Sequence, residues 1–246
     1  MNRQRPPGLF ITGTDTDVGK THVAASIVRR LRATGLRVGV YKPAASGCRV
    51  IDGELVSDDA LRLWEAAGRP GSLKDVCPQR FSAPLAPHLA AQAEGRSLDQ
   101  QLLRTGLDRW REESDVLIVE GAGGLLSPLG PDEYVIDLAL DFDLPLLVVA
   151  DNSIGVIHRA LATLLAADKF RRPMAVAGVI LNQAREPDAS SASNLAELRS
   201  RTIAPVIGVL ERGGEAPHLD WLSLARGEKS PEAVLPLPSV EGRGEG

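Results

Sequence analysis

Short apolar runs alternate along the chain with longer stretches in which apolar residues recur every three or four positions. The runs at 9–12, 37–41, 115–119, 144–150, 176–181 and 205–210 are strand-sized and largely apolar. The periodic stretches predict helices. One covers 21–31, with Val23, Ala24, Ile27, Val28 and Leu31 on one face, and Gly35 stops it. Ser57-Asp58-Asp59 opens another, running through Leu61, Leu63, Trp64 and Ala67. A short helix follows at 88–94 and a longer one at 98–111. A last one spans 154–167, with Ile154, Ile157, Leu161, Leu164 and Leu165 in register. The proline-rich stretch 78–87 reads as irregular. Strands that are apolar throughout and alternate with amphipathic helices predict an α/β fold, a mainly parallel central sheet with helices on both faces. No internal repeat or linker divides it, so a single domain is expected over 8–227, with an extension at 1–7 and a loosely docked tail at 228–246.

Polar residues recur where the apolar runs end. The first run leads into Gly13-Thr14-Asp15-Thr16-Asp17-Val18-Gly19-Lys20-Thr21, whose last three residues open a helix. A strand, a glycine-containing loop and a helix headed by Gly-Lys-Thr form a phosphate-binding P-loop. Backbone N–H groups cradle the phosphate oxygens, Lys20 reaches the terminal phosphates, and Thr21 offers its hydroxyl to Mg²⁺. Thr14 stands where the usual pattern has glycine, and Gly13, one place earlier, supplies the turn. Lys42 ends the second run because Pro43 cannot extend a central strand. Glu120 ends the third and Asn182 the fifth. In a parallel sheet these ends share one edge, so the four converge on one cleft.

Each residue type suits a role there. Glu120, followed by Gly121-Ala122-Gly123-Gly124, presents a carboxylate suited to Mg²⁺ alongside Thr21. Lys42 suits a second phosphate or a developing anion. Either Asp58 or Asp59 could reach the metal, and the other reading is helix-cap charge. Ser46 before Gly47 is turn chemistry or a substrate contact, and Asn182 reads a base edge or caps a strand. His22 lies within the P-loop helix, and His88, His158 and His218 have no metal-type spacing.

Composition narrows the classes. The net charge of -4 leaves no global basic field to recruit nucleic acid or an anionic membrane. No apolar run approaches a membrane span, and Arg3 and Arg5 are followed by no signal-type segment. Two cysteines, Cys48 and Cys77, form neither a disulfide framework nor a metal cluster, so a cytoplasmic location is expected.

The constellation resembles the dethiobiotin synthetase family. The P-loop above, Tyr41-Lys42-Pro43-Ala44-Ala45-Ser46-Gly47, Ser57-Asp58-Asp59-Ala60-Leu61, Ala86-Pro87-His88 and Val119-Glu120-Gly121-Ala122-Gly123-Gly124 carry the resemblance, in family order. It implies a P-loop NTPase-like three-layer sandwich and a homodimer with substrate near the interface. It also implies ATP-dependent closure of a ureido ring on 7,8-diaminononanoate and CO₂ (or bicarbonate) through a phosphorylated carbamate. Carried onto this chain, Lys20 and Lys42 would neutralise phosphate and carbamate charge, and Thr21, Asp59 and Glu120 would bind Mg²⁺. ATP would be held by Asp17, Val18, Gly19, Lys20, Thr21, His22, Asp59, Glu120, Gly121, Ala122, Gly123 and Asn182. Ser46 and Thr16 would touch the substrate. The family has Glu where Asp17 stands, Asn-His where His158-Arg159 stand, and a proline in the turn where Leu210-Glu211-Arg212 follow Gly208. A cation at Arg159 would still suit a carboxylate, and phosphate binding is more firmly implied than base selectivity.

The rival from another class is a partitioning-type nucleotide-switch ATPase of related fold. Those proteins carry an extra lysine early in the P-loop, where this chain has Asp15. An amidotransferase-type ligase needs a second, glutamine-hydrolysing domain, for which this chain is too short.

Overall fold

The computed structural model describes residues 5–228. Strand β1 (Gly8–Gly13) leads through the P-loop into helix α1 (Lys20–Ala33), and β2 (Val38–Tyr41) follows. Beyond Pro43 come β3 (Ala44–Ala45), a hairpin of β4 (Arg49–Ile51) and β5 (Glu54–Val56), and then α2 (Asp58–Ala66). Short elements follow: α3 (Leu73–Val76), β6 (Gln79–Arg80), α4 (Pro87–Ala93), α5 (Gln100–Thr105) and α6 (Asp108–Glu113). After β7 (Val116–Gly124) the chain alternates α7 (Val135–Phe142), β8 (Leu146–Asp151), α8 (Val156–Lys169) and β9 (Val176–Asn182). The described part closes with α9 (Ser191–Arg199), β10 (Val206–Leu210) and α10 (Trp221–Ala225).

The central sheet has the order β10-β9-β8-β1-β7-β2, every neighbouring pair parallel. Its strands are apolar on both sides because both sides are covered. Phe10 points toward Phe142 of α7, with ring centroids 6.3 Å apart, while α1 and α10 pack on the opposite face of β1. Val148, Ala150, Val179 and Leu181 meet Val156 and Ala160 of α8 and Leu195 and Leu198 of α9 in a second cluster. The result is the three-layer α/β sandwich that the alternation predicts. It puts the P-loop strand mid-sheet, between β7 and β8.

Several elements differ from expectation for identifiable reasons. Residues 98–111 do not form one helix. They break at Gly106, where a Cβ would lie 2.3 Å from Tyr41 Oη. That close approach lets the buried Tyr41 hydroxyl donate to the Leu103 carbonyl at 3.0 Å, which a continuous helix would have engaged internally. Residues 78–87 are not wholly irregular, since β6 pairs with β3 at Ala44↔Gln79 and Ala45↔Arg80. Strand β7 runs on to Gly124, so Glu120 lies within a strand, opposite Ile11. Helix α8 begins at Val156, and Ile154 (75% exposed) and Leu165 (62%) face outward rather than into the core. The extension and tail expected at 1–7 and 228–246 lie outside the described residues except at residues 5–7 and 228. There Pro7 accepts a hydrogen bond from the Leu117 N–H at 2.9 Å.

Candidate active site

The C-terminal edge of the sheet holds a cleft of about 390 Å³ beside the P-loop. The loop brings Thr16, Asp17 and Gly19 to it, α1 brings Lys20, Thr21 and His22, and Lys42 and Ser46 enter from the segment after β2. Asp59 comes from α2, and Glu120, Ala122 and Gly123 from β7. Val18, Gly121 and Asn182 do not line it. Val18 is buried beneath the loop, and Gly121 packs where a Cβ would meet Val135 and Phe10.

Glu120 is the hub. Its carboxylate is fully buried, and Oε1 accepts from Lys42 Nζ at 2.7 Å and from Thr21 Oγ1 at 2.9 Å. The other oxygen, Oε2, is buried with no partner. Lys42 reaches further, to Asp59 Oδ2 at 3.1 Å. Burial alone would lower the Lys42 pKa, but Glu120 and Asp59 hold it above the usual lysine range, so it stays charged. Asp59 is the converse case: burial opposes ionisation, and Lys42 overrides it and keeps the carboxyl below its usual range. The structure places Asp58 and Asp59 differently. Ser57 caps α2, Asp58 turns outward to pair with Arg49, and Asp59 turns into the cleft.

Among the described residues Lys20 has no carboxylate within ion-pair distance. It is buried and donates to the Asp15 carbonyl at 3.1 Å. Burial pushes its ammonium below the usual lysine range, against the pull of Glu120. A buried cation held by one carbonyl is set to accept an anion. The loop around it is braced from across the sheet, where Asn182 Nδ2 donates to the Val18 carbonyl at 2.9 Å. The fit is tight: Gly19 has φ +86°, and a Cβ there would lie 2.1 Å from Asn182 Nδ2. Asn182 therefore acts first as a clamp on the P-loop, through its amide nitrogen. His22 has a structural contact as well. Its Nε2 lies 2.9 Å from the Gly214 carbonyl, tying the head of α1 to the turn after β10.

Two features escaped the sequence reading. Ala44 and Ala45 form part of the cleft wall, for which their sequence carries no signal. Arg62 lines the cleft as well. Its signal was available, because on a helix it falls three residues after Asp59 and so on the same face.

Comparisons with known proteins show what the chain is similar to. A family model described as an AAA domain matches residues 7–215. The ATP-dependent dethiobiotin synthetase BioD of Rhodopirellula baltica is 44% identical over 210 residues, covering 80% of this chain and 81% of that protein. Its namesake in Aromatoleum aromaticum is 36% identical over 205 residues, 83% of this chain and 90% of that one. The ATP-dependent dethiobiotin synthetase BioD 1 of Salmonella typhi is 33% identical over 232 residues, 94% and 97% of the two chains. Among solved structures, a ParA family ATPase from Chlorobium tepidum superposes with a TM-score of 0.52 at 15% identity, over 85% of this chain and 84% of that one. A plasmid partition protein from Borrelia burgdorferi gives 0.51 at 11%, over 91% and 96%. At such identities the two structures share the fold alone. The extended P-loop, the Lys42–Glu120 pair and identities above 30% along most of its length place the chain in the family of ATP-dependent dethiobiotin synthetases.

Proposed function

We propose that this chain is an ATP-dependent dethiobiotin synthetase, a cyclo-ligase that forms carbon–nitrogen bonds. It closes the ureido ring on 7,8-diaminononanoate and CO₂ and releases ADP and phosphate. The observation that carries the reading is a cleft beside the P-loop where buried Lys42 meets Glu120 and Asp59, Thr21 donates to Glu120 and buried Lys20 stands alongside, with no Ser–His or Cys–His hydrogen bond in the cleft among the described residues. Such a site suits transfer between bound substrates, which needs positioned charge more than a side-chain nucleophile.

In this reading one substrate amine adds to CO₂ and loses a proton, giving a carbamate. A carbamate oxygen takes the γ-phosphoryl group of ATP, and the second amine displaces phosphate to close the ring. Lys20 holds the terminal phosphates, and Lys42, kept protonated by its carboxylates, neutralises the carbamate and the charge that builds up during transfer. Ser46 and Thr16 orient the diamine. The Asn182 oxygen accepts from the amino group of the base.

Thr21, Asp59 and Glu120 would hold Mg²⁺. All three offer hard oxygen donors, and the unpartnered Glu120 Oε2 is a ready ligand atom. When bound, the ion would neutralise phosphate charge. Among the described residues no group of three or more His, Cys, Asp and Glu side chains is placed to hold a metal, so phosphate and water would complete its shell.

The protein is further read as a cytoplasmic homodimer. Both cysteines are buried and unpaired, as in a reducing compartment, and no described helix is long and apolar enough to cross a membrane. Ile154 and Leu165 leave an apolar face on and beside α8 for a second copy. The test of the reading is ADP release by the purified protein, expected only when diaminononanoate, bicarbonate and Mg²⁺ are supplied together. Equal hydrolysis without the diamine, or hydrolysis that needs added DNA, would sink it in favour of a nucleotide switch.

A further inference from the structure

Arg62 is a cation of the cleft rim to which the reading above gives no role. It is exposed, it lies one turn after Asp59 on α2, and it borders the cleft formed by Lys20, Thr21, Lys42 and Glu120. It also borders a second hollow between α1 and α2, contiguous with the first through Thr21 and His22. Among the described residues it makes no hydrogen bond and no ion pair, although a guanidinium carries five donors. The acids near it on α2 are already engaged: Asp58 by Arg49, Glu65 by Arg69 at 2.9 Å, and Asp59 by Lys42 at 3.1 Å. Asp58 does feel its field, but binds the other arginine.

The other cations of the cleft are committed. Lys42 is neutralised by two carboxylates, and Lys20 is seated on the Asp15 carbonyl within the loop. Phosphoryl transfer passes through a loose transition state whose charge spreads over three equatorial oxygens and the departing bridge oxygen. A planar, always-charged fork that approaches from the rim matches that distribution better than a point charge does.

Resting on the ligase reading above, we propose that Arg62 is a further catalytic residue, an arginine finger supplied by the chain itself that contacts the phosphoryl group in transit. In this step the bond between the γ-phosphorus and the β–γ bridge oxygen breaks, and its electron pair leaves with ADP. A bond from a carbamate oxygen to phosphorus forms. Arg62 keeps its proton throughout and stabilises charge without exchanging any atom. Because Arg62 is exposed and its side chain makes no hydrogen bond or ion pair among the described residues, its replacement removes none there.

The test compares wild type with Arg62→Ala and Arg62→Lys. Turnover is expected to fall about 100-fold or more in Arg62→Ala, within the range of arginine fingers, and Arg62→Lys is expected to restore little of it. Affinity for MgADP alone is expected to stay within about threefold, since a contact made only in the transition state does not appear in ground-state binding. Aluminium fluoride, a planar mimic of the transferring group, should tighten MgADP binding to wild type and fail to do so in Arg62→Ala. Unchanged turnover, or equal fluoride tightening in both proteins, overturns the proposal and leaves Arg62 a solvated surface charge. If wild type releases no ADP with diamine and bicarbonate, the ligase reading fails instead, and the fluoride titration alone then decides Arg62.

Discussion

Lys42 Nζ and Glu120 Oε1, 78 residues apart in sequence, lie 2.7 Å apart with both side chains buried. Each is the other's principal counter-charge, so the pair supports the fold and the chemistry together. Lys42→Ala is therefore expected to do more than abolish turnover. It strands a buried carboxylate, at a cost of about 3–5 kcal/mol. The double variant Lys42→Met/Glu120→Gln removes both charges and should recover most of that stability while remaining inactive. Urea denaturation beside an ADP-release assay checks this. A single variant as stable as wild type would show that Glu120 is not held by Lys42.

Lys20 behaves in the opposite way. Its ammonium is buried with no carboxylate at ion-pair distance among the described residues, and burial lowers its pKa against the pull of Glu120. Between that lowered value and the ordinary 10.5 the unfolded chain binds more protons than the native one, so apo-protein stability rises with pH across this window. Lys20→Met should remove that slope, raise the melting temperature of the nucleotide-free protein at neutral pH, and weaken MgADP binding by at least about 1.5–3 kcal/mol. Calorimetry at several pH values with a nucleotide titration tests both halves. A destabilised Lys20→Met protein would refute the claim of an uncompensated charge.

The clamp on the P-loop makes a third prediction. Gly19→Ala must place a methyl group on Asn182 Nδ2 and hold alanine at φ +86°. It should lose nucleotide binding and about 1–3 kcal/mol of stability. Adding Asn182→Ala relieves the collision but not the backbone strain, so stability should return only in part. Full rescue would mean that the side-chain collision, and not the left-handed backbone, sets the requirement for glycine.

The outward face at α8 supplies a fourth. Leu165 is 62% exposed and Ile154 is 75% exposed, two apolar side chains turned outward on and just before one helix. Leu165→Glu is expected to convert a dimer to monomers in sedimentation equilibrium while leaving the circular dichroism spectrum unchanged. A wild type that sediments as a monomer would remove this face from consideration.

Much of the molecule is legible in the chain. The alternation of strand-sized apolar runs with amphipathic helices specifies the sandwich, since each element must bury an apolar face and a parallel sheet buries two. The turn chemistry of Gly13 to Thr21 announces a phosphate site, and Pro43 stops a strand so that Lys42 falls at its edge. These signals are local, set by residues within a few positions of each other. What stayed hidden depends on neighbours far away in sequence. Asp58 and Asp59 are equivalent as letters, and only Arg49 on one side and Lys42 on the other separate a surface pair from a carboxylate turned into the cleft. The helical pattern at 98–111 yields to Tyr41, which needs the space at Gly106. Asn182 braces a loop 164 residues away, and Arg62 stands out only because the acids near it on α2 are paired with other cations. Periodicity records which face of an element is apolar; which group meets a buried charge is settled when the elements pack, because only burial makes an unpaired charge costly enough to choose its partner.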